Sequence, residues 1–234
     1  MKKITLVLSC EHAVNTVPEK YQSLFAPYKA LLQTHRGIDF GALTVTQYLS
    51  QHFSCNFIQA RTTRLLIDYN RSLYHRQCFS EITRPLPQIE KNQLIEKYYL
   101  PYRQEVEKRI KEEIKDGSQV LHLSVHSFTP IFNEVIRNAD LGLLYDPRRA
   151  SERLLAKLWQ QELRKLNSAL RVRKNYPYRG INDGFSTALR KLFADKDYIG
   201  LELELNQALV DNAQALSSVS ELLAVSLKSL MARV

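Results

Sequence analysis

Residues 3–9 read KITLVLS, and residues 119–125 read QVLHLSV. Each is a short apolar run with polar residues at its ends. Lys2, Lys3, Glu11 and His12 flank the first; Asp116, Gly117, Ser118 and Pro130 flank the second. Runs of this length and flanking read as strands buried in a sheet. Asn56 to Ala60, Leu141 to Tyr145 and Tyr198 to Leu205 read as further strands. Helical patterns alternate with them. Phe40 to Phe53 places Leu43, Val45, Tyr48, Leu49 and Phe53 roughly on one helical face. Lys91 to Lys115 carries Glu/Lys pairs at helical spacing and reads as a solvated helix, started or kinked by Pro101. Arg149 to Leu166 and Gln207 to Ala232 are two more helices. Strands alternating with helices predict an α/β fold: one domain over residues 1–234, with a mixed, mostly parallel central sheet flanked by helices.

The bulk properties fit one such domain. The chain has 234 residues, 44% hydrophobic and 24% charged, enough to bury a core. No apolar run approaches the roughly 20 residues of a membrane span. The run Ile4 to Leu8 is shorter than a signal-peptide core, and Glu11-His12 follows it rather than a cleavage site. The expectation is an unprocessed, cytoplasmic protein with no membrane partner. Cys10, Cys55 and Cys78 are odd in number and widely spaced, which reads as small buried hydrophobes rather than a disulfide framework. A net charge of +9 favours anionic partners: acidic small molecules, nucleic acid or a membrane surface.

In α/β folds the sites gather at the C-terminal ends of the strands. Cys10-Glu11-His12 follows the first strand, and His126-Ser127 follows the Gln119 strand. Two imidazoles at the ends of parallel neighbours can converge, and Asp39, in His35-Arg36-Gly37-Ile38-Asp39, can add a third ligand of the kind zinc hydrolases use. Asp39 can equally cap the following helix. Glu204 lies in an apolar stretch, Tyr198 to Leu205, where burial would raise its pKa toward that of a general base. Glu202 shares its face as a weaker base; on an edge strand both acids would simply be solvated. Arg64 and Arg71 flank an apolar Leu65-Leu66-Ile67, with Asn70 beside them, a ready clamp for a carboxylate or phosphate. Asp68 is read as pinning that loop through one of the arginines. Tyr178 and Arg179 lie in a loop, residues 175–184, that reads as a lid touching substrate or as a plain turn.

Taken in order, Cys10-Glu11-His12-Ala13 with Asn15 and Pro18, residues 37–42, Arg64 to Arg71, His126-Ser127, Asn175 to Tyr178 and Glu204 to Gln207 resemble the N-formylglutamate amidohydrolase family. The resemblance implies a hydrolase fold similar to those of zinc carboxypeptidases and aspartoacylases. It implies one zinc ion held by His12, Asp39 and His126, with Glu11 as an alternative to Asp39. In carboxypeptidases the first two ligands lie close in sequence; here position 15 is Asn and Asp39 lies far downstream. By the same resemblance Glu204 is the base, Arg64 steadies the oxyanion, and Asn70 and Arg71 hold the substrate carboxylate. The implied reaction is hydrolysis of the N-formyl, or another N-acyl, amide of an acidic amino acid such as N-formylglutamate.

Two other readings stand beside it. One is an enzyme of the same fold acting on a different N-acyl amino acid or a peptide. The other is a nucleic-acid- or anion-binding protein whose basic residues between Arg148 and Arg179 track phosphates. That stretch lacks a binding motif and an interleaved stacking platform.

Overall fold

The computed structural model describes residues 2–234. Its elements follow in chain order: β1 (Ile4–Cys10), α1 (Gln22–Phe25), α2 (Lys29–Leu32), α3 (Ala42–Phe53), β2 (Phe57–Gln59), α4 (Gln88–Leu94), α5 (Leu100–Lys115), β3 (Gln119–Phe128), β4 (Ile131–Phe132), β5 (Val135–Ile136), β6 (Leu141–Leu144), α6 (Ala150–Leu166), β7 (Val172–Lys174), α7 (Phe185–Leu192), β8 (Tyr198–Asn206) and α8 (Ala213–Met231). Six strands form one sheet in the order β2-β1-β3-β8-β6-β7. Only the β6–β8 pairing is antiparallel; the others are parallel. The mixed, mostly parallel α/β sheet expected from the sequence is therefore present.

Strand alternation sorts the side chains into two layers. Leu6, Leu8 and Cys10 of β1 join Leu121, Leu123 and Val125 of β3 and Leu201, Leu203 and Leu205 of β8 in a core covered by α3, α6 and α8. Trp159 of α6 is fully buried there and donates its indole N–H to Ser226 Oγ at 2.9 Å. On the other face Val7, Val120 and Tyr198 pack against Tyr102, Val106 and Ile110 of α5 and Phe185 and Leu189 of α7. A third cluster buries Leu65, Leu66 and Ile67 under Tyr21, Phe25, Leu94 and Tyr99. It orders the irregular segment between β2 and α4, which carries several site residues.

The differences from the sequence reading have local causes. The stretch read as one helix from Lys91 is interrupted by a π-type turn, Ile95–Tyr99, just ahead of Pro101 in the first turn of α5. The stretch from Gln207 breaks before Ala213, because the Asn212 side chain accepts from Ala215 N at 2.9 Å and caps a new helix. β8 lies between β3 and β6 rather than at an edge, so Glu202 and Glu204 are buried, at 8% and 5% exposure. Cys10 and Cys78 are buried and Cys55 is half-buried. Among the described residues, no helix is long and apolar enough to cross a membrane.

Candidate active site

His12 lies two residues beyond β1, and His126 lies near the C-terminal end of β3, the strand beside it. Parallel pairing brings both imidazoles to the same end of the sheet, with ring centroids 5.0 Å apart. Asp39 reaches them from the loop before α3. Its backbone N–H donates to His12 O at 3.1 Å, and its Oδ2 lies 3.1 Å from His12 Nδ1 and 3.0 Å from His126 Nδ1. The three side chains offer ligand atoms that all lie within 4.8 Å of one another, and all three residues are buried. Asp39 does not cap α3. The helix starts after Gly41, whose φ of +77° turns the chain where an added Cβ would come within 2.7 Å of Val210.

Each imidazole has a carboxylate behind it. His12 Nε2 lies 2.8 Å from Asp68 Oδ1, and His126 Nε2 lies 3.1 Å from Glu11 Oε2. Glu11 is therefore placed behind His126 and outside the ligand cluster, not as a substitute for Asp39. Asp68 does pin its loop, accepting from Arg64 Nη2 at 2.9 Å and Asn70 N at 3.0 Å, but it also holds His12. Burial alone would raise the Asp39 and Asp68 carboxyls. For Asp39 the charge and hydrogen bond of His12 dominate, and for Asp68 the Arg64 guanidinium does; both groups end below the usual carboxylate range.

Glu204 pairs in register with His126 on the neighbouring strand. Its Oε2 is buried without a hydrogen-bond partner, and burial pushes the carboxyl up to about 8. Glu202 lines the same cavity, whose volume is about 440 Å³. Arg64, Asn70, Arg71, Tyr178 and Arg179 line it too, so the structure brings every site residue expected from the sequence to one cleft. Arg64 also donates to Asp39 Oδ1 at 3.4 Å and keeps a quarter of its side chain exposed. Asn70 Oδ1 accepts from Phe185 N at the start of α7, while its Nδ2 lies 3.5 Å from His126 Nε2. Arg71 donates to Asp183 O at 2.5 Å.

The loop carrying Tyr178 and Arg179 is tied down. Asn175 Oδ1 accepts from Tyr145 N and Gly180 N, both at 3.0 Å, and Arg190 donates to Gly180 O at 2.5 Å. Opposite Tyr178, the guanidinium of Arg137 sits 5.2 Å from its ring and 4.5 Å from that of Phe132, and donates to the Tyr178 hydroxyl at 3.2 Å. The β4–β5 hairpin that presents Phe132 went unseen in the sequence because two-residue strands carry no period. The basic stretch weighed as a phosphate track is largely engaged in the fold. Arg148 pairs with Asp146 and Arg171 with Asp140, while Arg149 turns inward to Tyr198 O.

Comparison with known proteins follows the same lines. Residues 4–210 match the family described as N-formylglutamate amidohydrolase. Among solved structures, a gene product of Agrobacterium tumefaciens is 26% identical, with a TM-score of 0.83 over 98% of this chain and 92% of its own. The N-formylglutamate amidohydrolase of Ralstonia eutropha JMP134 is 17% identical and shares the fold, with a TM-score of 0.75 over 100% of this chain and 95% of its own. The CwlD amidase of Clostridioides difficile, 14% identical, shares it more loosely, at a TM-score of 0.50 over 99% and 100%. No curated protein matches the chain. A family match spanning both histidines, the arginine loop and the buried glutamates leaves one conclusion: the chain belongs to the N-formylglutamate amidohydrolase family and is a hydrolase of the amidohydrolase or deacylase type.

Proposed function

We propose that this protein is a zinc-dependent amidohydrolase that removes the N-formyl, or another small N-acyl, group from an acidic amino acid such as N-formylglutamate. The observation that carries the reading is the convergence of His12, Asp39 and His126 beside the unpartnered Glu204 Oε2 in one cavity. Two imidazoles and a carboxylate form a donor set suited to catalytic zinc, which keeps a position open. The carboxylates behind both rings support the fit, since ligating imidazoles commonly present the second nitrogen to such a group. Bound there, zinc would supply Lewis acidity and lower the pKa of water to about 7.

The chain's own groups do the rest. In its ionised form, Glu204 takes a proton from the attacking water on Oε2, then delivers it to the amide nitrogen as the acyl C–N bond breaks. The products are the free amino acid and formate or another small acid. Arg64 turns its exposed edge to the developing oxyanion. Asn70 Nδ2 and the free side of the Arg71 guanidinium hold the α-carboxylate, so the amide is fixed against Glu204. Arg179 has no side-chain partner among the described residues and faces the same cavity, placed for the second carboxylate; Tyr178 forms the wall beside it. The reading places the enzyme in the cytoplasm, supported by three free thiols.

Purified protein with zinc is expected to release glutamate from N-formylglutamate. Glu204→Gln is expected to lower kcat by about 10²–10⁴-fold. Full turnover by that variant removes the proposed base. The kcat/KM values for N-formyl-, N-acetyl- and N-succinylglutamate rank these substrates; a maximum at the larger acyl groups shifts the assignment to deacylase.

A further inference from the structure

Behind His126, on the side away from the cavity, lies a closed chain of buried hydrogen bonds. Glu11 is its centre; it is fully buried and does not line the cleft. Its Oε1 accepts from Ser9 Oγ at 2.8 Å and from the Tyr102 hydroxyl at 2.9 Å. Its Oε2 accepts from Ser124 Oγ at 2.5 Å and lies 3.1 Å from His126 Nε2. The chain extends beyond Ser9, whose Oγ lies 2.8 Å from His122 Nε2, while His122 Nδ1 lies 2.8 Å from the Tyr198 hydroxyl.

The directions of these bonds are forced. Tyr198 donates to His122 Nδ1, so Nε2 carries the proton and donates to Ser9 Oγ. Ser9 then passes its own proton to Glu11 Oε1. With Tyr102 and Ser124 also donating, Glu11 is an acceptor throughout, and the N–H of His126 Nε2 points to both Ser124 Oγ, at 2.9 Å, and Glu11 Oε2, at 3.1 Å. Asn70 Nδ2, 3.5 Å from the same nitrogen, is itself a donor and cannot take that proton. Nε2 is therefore a protonated nitrogen, and Nδ1, 3.0 Å from Asp39 Oδ2, is the nitrogen that faces the ligand cluster and would exchange its proton for a metal.

We propose that Glu11 is a positioning residue that fixes the tautomer and ring angle of His126 for metal binding, held in place by hydroxyls from β1, β3 and α5. The inference rests on the metal reading above and deepens it. A carboxylate in this position strengthens the ligand through the imidazole and resists rotation of the ring. His126 and three hydroxyl donors, from Ser9, Ser124 and Tyr102, together compensate its burial. Its side chain reaches neither the substrate cavity nor the side chains of the other two ligands, although its backbone joins His12, so the carboxylate itself acts on the ligand cluster through His126.

The test compares wild-type protein with Glu11→Gln and Tyr102→Phe. The measurements are zinc affinity by chelator competition, the visible spectrum of the cobalt-loaded protein, and thermal unfolding of the metal-stripped form. Glu11→Gln is expected to weaken zinc binding about 10–100-fold and to shift the cobalt bands. Saturated with zinc, it should lose kcat with little change in KM. Tyr102→Phe removes one donor but leaves the Glu11–His126 contact, so it should lower thermal stability and keep the wild-type cobalt spectrum. In zinc-loaded wild type, nitrogen-15 spectra of His126 should show Nε2 protonated, a result that does not depend on how the variants fold. Wild-type zinc affinity and cobalt bands in Glu11→Gln, or protonation at Nδ1 of His126, overturn the inference and leave the metal site standing. A wild type that takes up neither zinc nor cobalt overturns both.

Discussion

His122 shows how one buried side chain sets a pH limit on the fold. It is fully buried in β3 and sits between Ser9 and the Tyr198 hydroxyl, with the Phe185 ring edge-on. Burial, which opposes the charged form, lowers its pKa to about 4. In the unfolded chain the same imidazole protonates near its ordinary value of about 6.5. Between those two values the unfolded state binds more protons, so stability is present at neutral pH and is lost as pH falls through this window. For metal-stripped protein, the unfolding free energy of wild type from urea titration is expected to fall by about 2 kcal/mol relative to that of His122→Gln between about pH 7 and about pH 4.5, because the raised Glu204 carboxyl, which acts in the opposite direction, is common to both. His122→Gln is expected to be less stable at neutral pH and to lack this loss of stability toward acid. An unchanged slope in the variant contradicts the assignment. The residues of the site itself were readable to different degrees. His12, His126 and Glu204 were visible because each falls at the end of, or inside, an apolar run, where a polar residue needs a reason. The second role of Asp68 and the place of Glu11 were not, because both depend on which atom of an imidazole faces which neighbour. Strand parity held a signal for Glu11: just past β1, it continues the side of Ser9, two positions earlier, which meets Ser124 and His126 of β3.

β6 decides the shape of the cleft wall. It runs antiparallel to β8 and sets Gly142 opposite Glu204. A Cβ at Gly142 would lie 2.1 Å from Tyr176 O and 3.1 Å from Glu204 Cβ. The missing side chain lets the 175–184 loop approach the strand that carries the proposed base. Gly142→Ala is expected to destabilise the protein by about 2 kcal/mol, read from the urea midpoint, because the backbone of the loop must move. It should also lower kcat/KM by displacing Tyr178 and Glu204; wild-type values of both quantities would show that the loop yields freely. Element identity was readable where runs are long: β1, β3, β8, α3 and α6 lie within a few residues of their expected bounds. The direction of β6 was not, since four apolar residues carry no sign of which way they run. β7 is only three residues long and has one buried side chain, so its place beside β6 comes from tertiary packing rather than from its own pattern.

The fold as a unit brings together segments far apart in the chain. The loop after β1, the turn before α3, the irregular segment ordered by Leu65, Leu66 and Ile67, and the ends of β3 and β8 meet at one edge of the sheet. A sheet with β1, β3 and β8 adjacent makes that meeting unavoidable, and the parallel pairing puts every strand end concerned on the same side. At the centre stand two imidazoles and Asp39, drawn from positions 12, 39 and 126 and reading as the ligands of a single divalent ion. Elemental analysis tests that statement on protein saturated with zinc and dialysed without chelator. The account predicts one zinc per wild-type chain and its loss in His126→Ala. Wild-type protein that emerges without zinc, or a His126→Ala variant that keeps the full equivalent, contradicts it.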